Sequence, residues 1–313
     1  MVLTAALLFC APHIDISRLF TFTNYSGPRG GDIWPETGSM GALFLLSFLL
    51  PAYTITGYDA SAHTSEETVG AAVNVPRGIL RAVAISSVAG WVMVSAIVLA
   101  MPDMDAAAAK GADVFFFVTD SVVPRPLALA LYGGITVAQY LCGLATVTSA
   151  SRMTYAFARD GGLPFSQKLR RVSPTFRTPA TAIWTAALFT VAFTLYTPVY
   201  SSITAVCVIF LYISYVMPTV MGLFAYGRSW VNMGPFDLGA LYRPLAVVSA
   251  LGCALVIIIS FQLPKALPIT IGAAGVTALV WFGLERRRFQ GPPQGIMNQA
   301  QRAAIEAAEK AVG

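Results

Sequence analysis

The 313-residue chain is 56% hydrophobic and only 11% charged, with a formal net charge of +5. A soluble globular protein of this size is not so apolar, and the chain reads as an all-α polytopic membrane protein. Its basic residues are spread over separate loops and form no single patch, which argues against a nucleic-acid partner.

In chain order, residues 1–12 are apolar but only about half the length needed to cross a bilayer. No positive flank precedes them, so they are expected to be the stump of a helix and not a signal peptide. Residues 38–67 are the most informative stretch, ending LSFLLPAYTITGYDASAHTSEE. Its charge-free part is long enough to span a membrane, yet Pro51, Thr54, Thr56, Gly57 and Asp59 crowd one end. In lipid such an interruption survives only where protein or water satisfies the freed backbone groups, so a broken span marks a candidate binding site.

Further charge-free runs cover residues 82–102, 126–151, 244–264 and 266–284. Residues 178–227 hold no Asp, Glu, Lys or Arg, and at roughly 20 residues per crossing they fit two helices turning near Pro198 and Tyr200. With the broken span this makes about seven crossings. The outer loop MPDMDAAAAKGADVFFFVTDSVV is expected to form a short amphipathic lid helix. The loop YAFARDGGLPFSQKLRRVSPTFRTPATAI has Gly161, Gly162 and Pro164 as helix stops and Pro179 as the next start. A membrane domain over 1–285 and a cytoplasmic tail over 286–313 follow from this reading.

Loop charge orients the chain. With the first complete span running from outside to inside, the outer connections hold Arg18, Arg29, Lys110, Arg125 and Lys265, and the other fifteen of the 20 basic residues fall on the inner side or in the tail. That bias is the one expected of cytoplasmic loops, so the C-terminus is expected in the cytoplasm and the protein in the plasma (inner) membrane.

Other chemistry is sparse. Cys10, Cys142, Cys207 and Cys253 lie in apolar spans and read as small buried hydrophobes. His13 and His63 have no partners at metal-site spacing, and no hydrolase, nucleotide-binding or zinc-protease motif is present. No enzyme, metal or cofactor is expected.

The segment TGYDASAHTSEETVGAAVNVPRGI, followed by SRMTYAFARDGGLPFS and RTPATAI, resembles the amino acid-polyamine-organocation superfamily of secondary transporters, in the branch for amino acids, choline and 4-aminobutyrate. The resemblance covers about residues 20–288 and implies a LeuT-type fold of twelve helices in two inverted repeats. Residues 38–67 would then be the sixth helix, unwound beside the substrate, and the spans here helices six to twelve. Residues 1–12 would end the fifth. Helices one to four have no counterpart, so this is expected to be a partial LeuT-type fold: either the gene begins upstream, or the product is a truncated, non-transporting membrane protein or packing subunit.

The resemblance assigns substrate contacts to Tyr53, Thr54, Thr56, Gly57, Tyr58 and Asp59. Unwinding there leaves backbone groups without helical partners, and Gly57 tolerates backbone conformations that other residues avoid. Close helix packing is the alternative for Gly57, as a plain core aromatic is for Tyr53. Asp59 reads as a proton-linked carboxylate or a structural clamp, since a charge at the centre of a span costs roughly 2.5 to 3.5 kcal/mol on insertion scales. Glu66 and Glu67 are either a solvated helix end or an inner gate paired with Arg77, Arg81 or Arg159. Gln139 and Tyr140, with Tyr212 and Tyr215, are expected to line the pathway or to bond between helices. The expected function is alternating-access transport of an amino acid, 4-aminobutyrate or a choline-like amine with a coupling proton, in contact with the lipid bilayer.

Overall fold

The computed structural model describes residues 1–196, 200–231, 233–263, 266–289 and 307, with side chains described outside 196–205. Among them the regular elements are all helical. Among the described residues five helices are long and apolar enough to cross a membrane: Ala71–Ala100 (α5 below), Arg125–Arg159 (α8), Val206–Ala225, Gly239–Ser260 and Ala266–Arg287. Two shorter apolar helical stretches, Met40–Thr54 and Ala180–Leu195, complete the set. All seven expected spans are therefore helical, and two are short. Pro198 and the tail beyond 289, apart from residue 307, lie outside the described residues.

The chain opens with α1 (Val2–Cys10), then passes through single 3-10 turns at Ile16–Phe20 and Gly27–Gly30. The broken span follows as α2 (Met40–Ser47), α3 (Leu49–Thr54) and α4 (Ala60–His63). α5, of 30 residues, runs back beside it. The outer loop folds into α6 (Met104–Ala108) and α7 (Val114–Val122). α8 has 35 residues, and α9 (Ser166–Leu169) is one turn in the basic loop. Then come α10 (Ala180–Tyr196), α11 (Tyr200–Ala225), α12 (Tyr242–Ser260) and α13 (Ala266–Gly283).

Two apolar clusters hold the helices together. Leu7, Ala100, Ala107, Val118, Val122 and Ala128 join α1, α5, α6, α7 and α8. The outer loop therefore forms two short helices that pack into this cluster. Leu46, Leu49, Ile209, Ile259, Leu263 and Ala266 join the first half of the broken span to α11, α12 and the start of α13. Large apolar side chains such as Trp91, Phe189 and Leu279 remain exposed on helix faces, as lipid contact requires. Because lipid is as apolar as these side chains, close packing and interhelical hydrogen bonds carry the association.

Candidate functional site

The break follows from local sequence. Ser39 caps α2 by accepting from the Ala42 amide at 3.3 Å. Pro51 has no N–H to give to the Ser47 carbonyl, and the helix steps at Phe48, whose amide bonds Leu45 at 3.1 Å. After Thr54 the chain tightens: the Thr56 amide donates to the Tyr53 carbonyl at 3.1 Å, and its hydroxyl reaches the same oxygen at 2.7 Å. Gly57 turns to φ +83°, a left-handed conformation that disfavours any side chain. The Ala60 amide then bonds the Gly57 carbonyl at 3.1 Å and α4 begins. Across this break the carbonyls of Thr54, Ile55 and Thr56 accept no hydrogen bond among the described residues.

α11 ties the two halves together. Tyr212 donates its hydroxyl to the Ala52 carbonyl at 3.2 Å, above the break. Tyr215, one turn on, accepts from the Gly57 amide at 3.2 Å and donates to Asp59 Oδ1 at 3.0 Å. The Tyr58 ring lies 4.7 Å from that of Tyr215. His63 Nε2 sits 3.1 Å from Asp59 Oδ2, so both carboxylate oxygens are engaged. Tyr53 is 37% exposed.

α5 approaches closely through its glycines: a methyl group on Gly90 would sit 3.4 Å from Thr54 Cγ2. Between the upper half of the break, α5 and Tyr212 lies a mostly apolar cavity of about 640 Å³, lined by Ser47, Pro51, Thr54, Ser86, Trp91 and Tyr212 among others.

Beyond α4, in the 3-10 turn Ser65–Glu67, both acids are paired with α8. Arg159 Nη1 lies 2.9 Å from both oxygens of Glu66. Arg152 donates Nε to Glu67 Oε1 at 3.0 Å and Nη2 to Oε2 at 3.3 Å. Arg152 was not among the expected partners, yet its spacing of seven from Arg159 puts both on one helical face. Arg77 forms no ion pair among the described residues.

The remaining expected residues lie elsewhere. Tyr140 is 72% exposed, Gln139 is also exposed, and neither bonds the break among the described residues. The structure thus gathers Thr54, Gly57, Tyr58, Asp59, Tyr212 and Tyr215 around one break and adds His63.

Comparison with known proteins shows the family. A family profile described as amino acid permease matches residues 1–283. The amino-acid permease BAT1 of Arabidopsis thaliana is 33% identical over 93% of this chain and 60% of its own length. Its homolog in Oryza sativa is 31% identical over 91% of this chain and 59% of its length. A GABA-specific permease of Saccharomyces cerevisiae is 30% identical over 72% of this chain and 40% of its length. The chain spans about three-fifths of the length of the plant relatives. Matched along 1–283, the chain belongs to the amino acid permease family.

Proposed function

We propose that this chain is part of a secondary transporter for an amino acid or a small amine, such as 4-aminobutyrate or a choline-like cation, working by alternating access around residues 54–59 in a LeuT-type arrangement. The break carries this reading. The carbonyls of Thr54, Ile55 and Thr56 accept no hydrogen bond among the described residues, and Thr54 and Ile55 line the 640 Å³ cavity. Exposed backbone dipoles at an interrupted span are suited to a small charged solute. Tyr215 takes the Gly57 amide, while the amides of Tyr58 and Asp59, like the three carbonyls, have no partner among the described residues, so the break offers acceptors to an amine and donors to a carboxylate. Tyr53 and Tyr58 add aromatic faces that attract a cation. The names of the relatives, amino-acid and GABA-specific permeases, support the same substrate class.

Asp59 is the proposed site of the coupling proton, since a carboxylate within a span is costly unless paired or functional. The Glu66–Arg159 and Glu67–Arg152 pairs form the proposed inner gate. The loop charges support placement in the plasma (inner) membrane with the C-terminus in the cytoplasm.

Uptake of radiolabelled 4-aminobutyrate, choline and the common amino acids by proteoliposomes carrying this chain tests the proposal. Uptake of at least one amine or amino acid is expected, with Asp59→Asn slowing it on the order of tenfold. A panel that gives only background uptake would refute transport by this chain. A normal rate in Asp59→Asn with unchanged pH dependence would remove Asp59 from the mechanism.

A further inference from the structure

Asp59 immediately precedes α4 and His63 ends it, four residues later. Both side chains are about a quarter exposed, 24% for Asp59 and 29% for His63. Asp59 Oδ1 accepts from the Tyr215 hydroxyl, and Oδ2 faces His63 Nε2 at 3.1 Å. An ionised carboxylate has no hydrogen to give, so Nε2 must carry the hydrogen of that bond. Nδ1 keeps its lone pair and has no hydrogen-bond partner among the described residues. An imidazole held this way takes a proton at Nδ1 without losing its grip on Asp59.

We propose that His63 delivers the coupling proton to Asp59. A hydronium ion breaks one O–H bond and leaves as water as its proton forms an N–H bond at Nδ1, the Nε2–H bond breaks, and that proton forms the O–H bond at Asp59 Oδ2. The ring ends neutral in its other tautomer, the carboxyl ends neutral, and one proton has moved. Release runs the same steps backwards. The inference rests on the transport reading and supplies a route for its proton.

The neighbouring charges narrow the choice. The elements packed against α4 bring Glu66 and Glu67 from the 3-10 turn, Arg77 and Arg81 from α5, Arg152, Tyr155 and Arg159 from α8, and Tyr215 from α11. Glu66 and Glu67 are held by Arg159 and Arg152, and Tyr215 is already bonded to Oδ1. Imidazole is the side chain whose ordinary protonation change falls between about pH 5 and about pH 8. Among the described residues it is the group of that kind bonded to Asp59.

Two measurements test the relay. The chain has 2 histidines, so nitrogen-15 NMR of histidine-labelled full chain in lipid nanodiscs resolves His63 once His13→Gln removes the other signal. The neutral ring is expected with its hydrogen on Nε2, and a hydrogen on Nδ1 overturns the proposal. The second readout is uptake of 4-aminobutyrate by proteoliposomes on each side of the imidazole range. His63→Gln keeps an amide donor for Asp59 but carries no proton, whereas His63→Ala removes both.

If His63 moves the proton, both substitutions bring the ratio of rates at about pH 5.5 and about pH 7.5 to within about twofold of one. If His63 only holds Asp59 in place, Gln behaves like the unaltered chain, and the proposal falls. Absence of uptake by the unaltered chain with the Nε2–H tautomer present fails the transport reading and leaves the hydrogen-bond assignment standing. The Nδ1–H tautomer fails the relay whether or not uptake occurs.

Discussion

The Tyr215 hydroxyl lies 3.0 Å from Asp59 Oδ1, although 156 residues separate the two in the chain. The Tyr215 hydroxyl oxygen also accepts from the Gly57 amide at 3.2 Å, so one side chain of α11 holds both the turn and the acid. Tyr215→Phe keeps the ring against Tyr58 and removes both bonds. Each net hydrogen bond contributes about 0.5 to 1.5 kcal/mol. Hydrogen exchange measured by mass spectrometry is expected to speed up about tenfold in the peptide containing Gly57, Tyr58 and Asp59. Unchanged exchange there would show that α11 does not hold the break.

Gly57 stands in open space, with no atom within 4 Å of where a Cβ would lie, yet its φ is +83°. The cost of Gly57→Ala is therefore backbone strain and not a clash, about 1 kcal/mol or more. Gly133 also has open space, but inside α8 at an ordinary helical φ. Gly133→Ala is expected to stabilise by about 0.5 to 1 kcal/mol. Thermal unfolding in detergent should move the two midpoints in opposite directions.

The Glu67–Arg152 pair joins the turn after α4 to α8 by two hydrogen bonds. Glu67 is largely exposed, so the pair is expected to contribute about 0.2 to 1 kcal/mol and to weaken with salt. A double-mutant cycle with Glu67→Gln and Arg152→Gln in thermal unfolding reads the coupling. Additive single effects would leave no ion pair for a gate to break.

Cys142 is exposed and lies near the middle of α8. The helix is 35 residues long, about 50 Å at the usual rise, so its centre falls within the hydrocarbon when α8 crosses the membrane. A charged, membrane-impermeant maleimide needs a hydrated thiolate. Cys142 is expected to react after unfolding in detergent but not in nanodiscs. Fast labelling in nanodiscs would move this part of α8 out of lipid.

Asp237, in the loop between α11 and α12, accepts from the Gly239 amide at 3.0 Å and the Tyr226 hydroxyl at 2.9 Å. These bonds favour its ionised form and hold its pKa below the ordinary value. A depressed folded-state pKa gives stability that is present above the unfolded value and lost as pH falls through the folded one. Asp237→Asn should therefore destabilise this loop near neutral pH and make no difference in strong acid, as limited proteolysis of the loop can report.

Much of the break is legible in local sequence. Pro51 removes an amide, Gly57 permits a positive φ, and both act within one turn of their position, so pattern alone locates the interruption. The apolar runs likewise locate the helices, because a span needs only length and an absence of charge. Partners are another matter. Glu66 and Glu67 read either as a solvated helix end or as acids paired with Arg77, Arg81 or Arg159, and that Arg152 is the partner of Glu67 depends on which face α8 turns toward the turn after α4.

His63 shows the same limit from the other side. By sequence it is a histidine without metal-site neighbours, and its spacing of four from Asp59 means little until α4 is known to be helical there. Tyr215 reads as a polar residue on a span that either lines a path or bonds a neighbour. Composition and hydropathy determined that the chain lives in lipid and roughly where its spans lie, and Pro51 and Gly57 marked where one of them comes apart, whereas α5 begins at Ala71 and α8 runs on to Arg159, both beyond the charge-free runs. The docking of α11 and α8 decided that Tyr215 meets Asp59 and that Arg152 meets Glu67, because side chains 156 and 85 residues apart are brought within hydrogen-bonding distance by packing that no local propensity specifies.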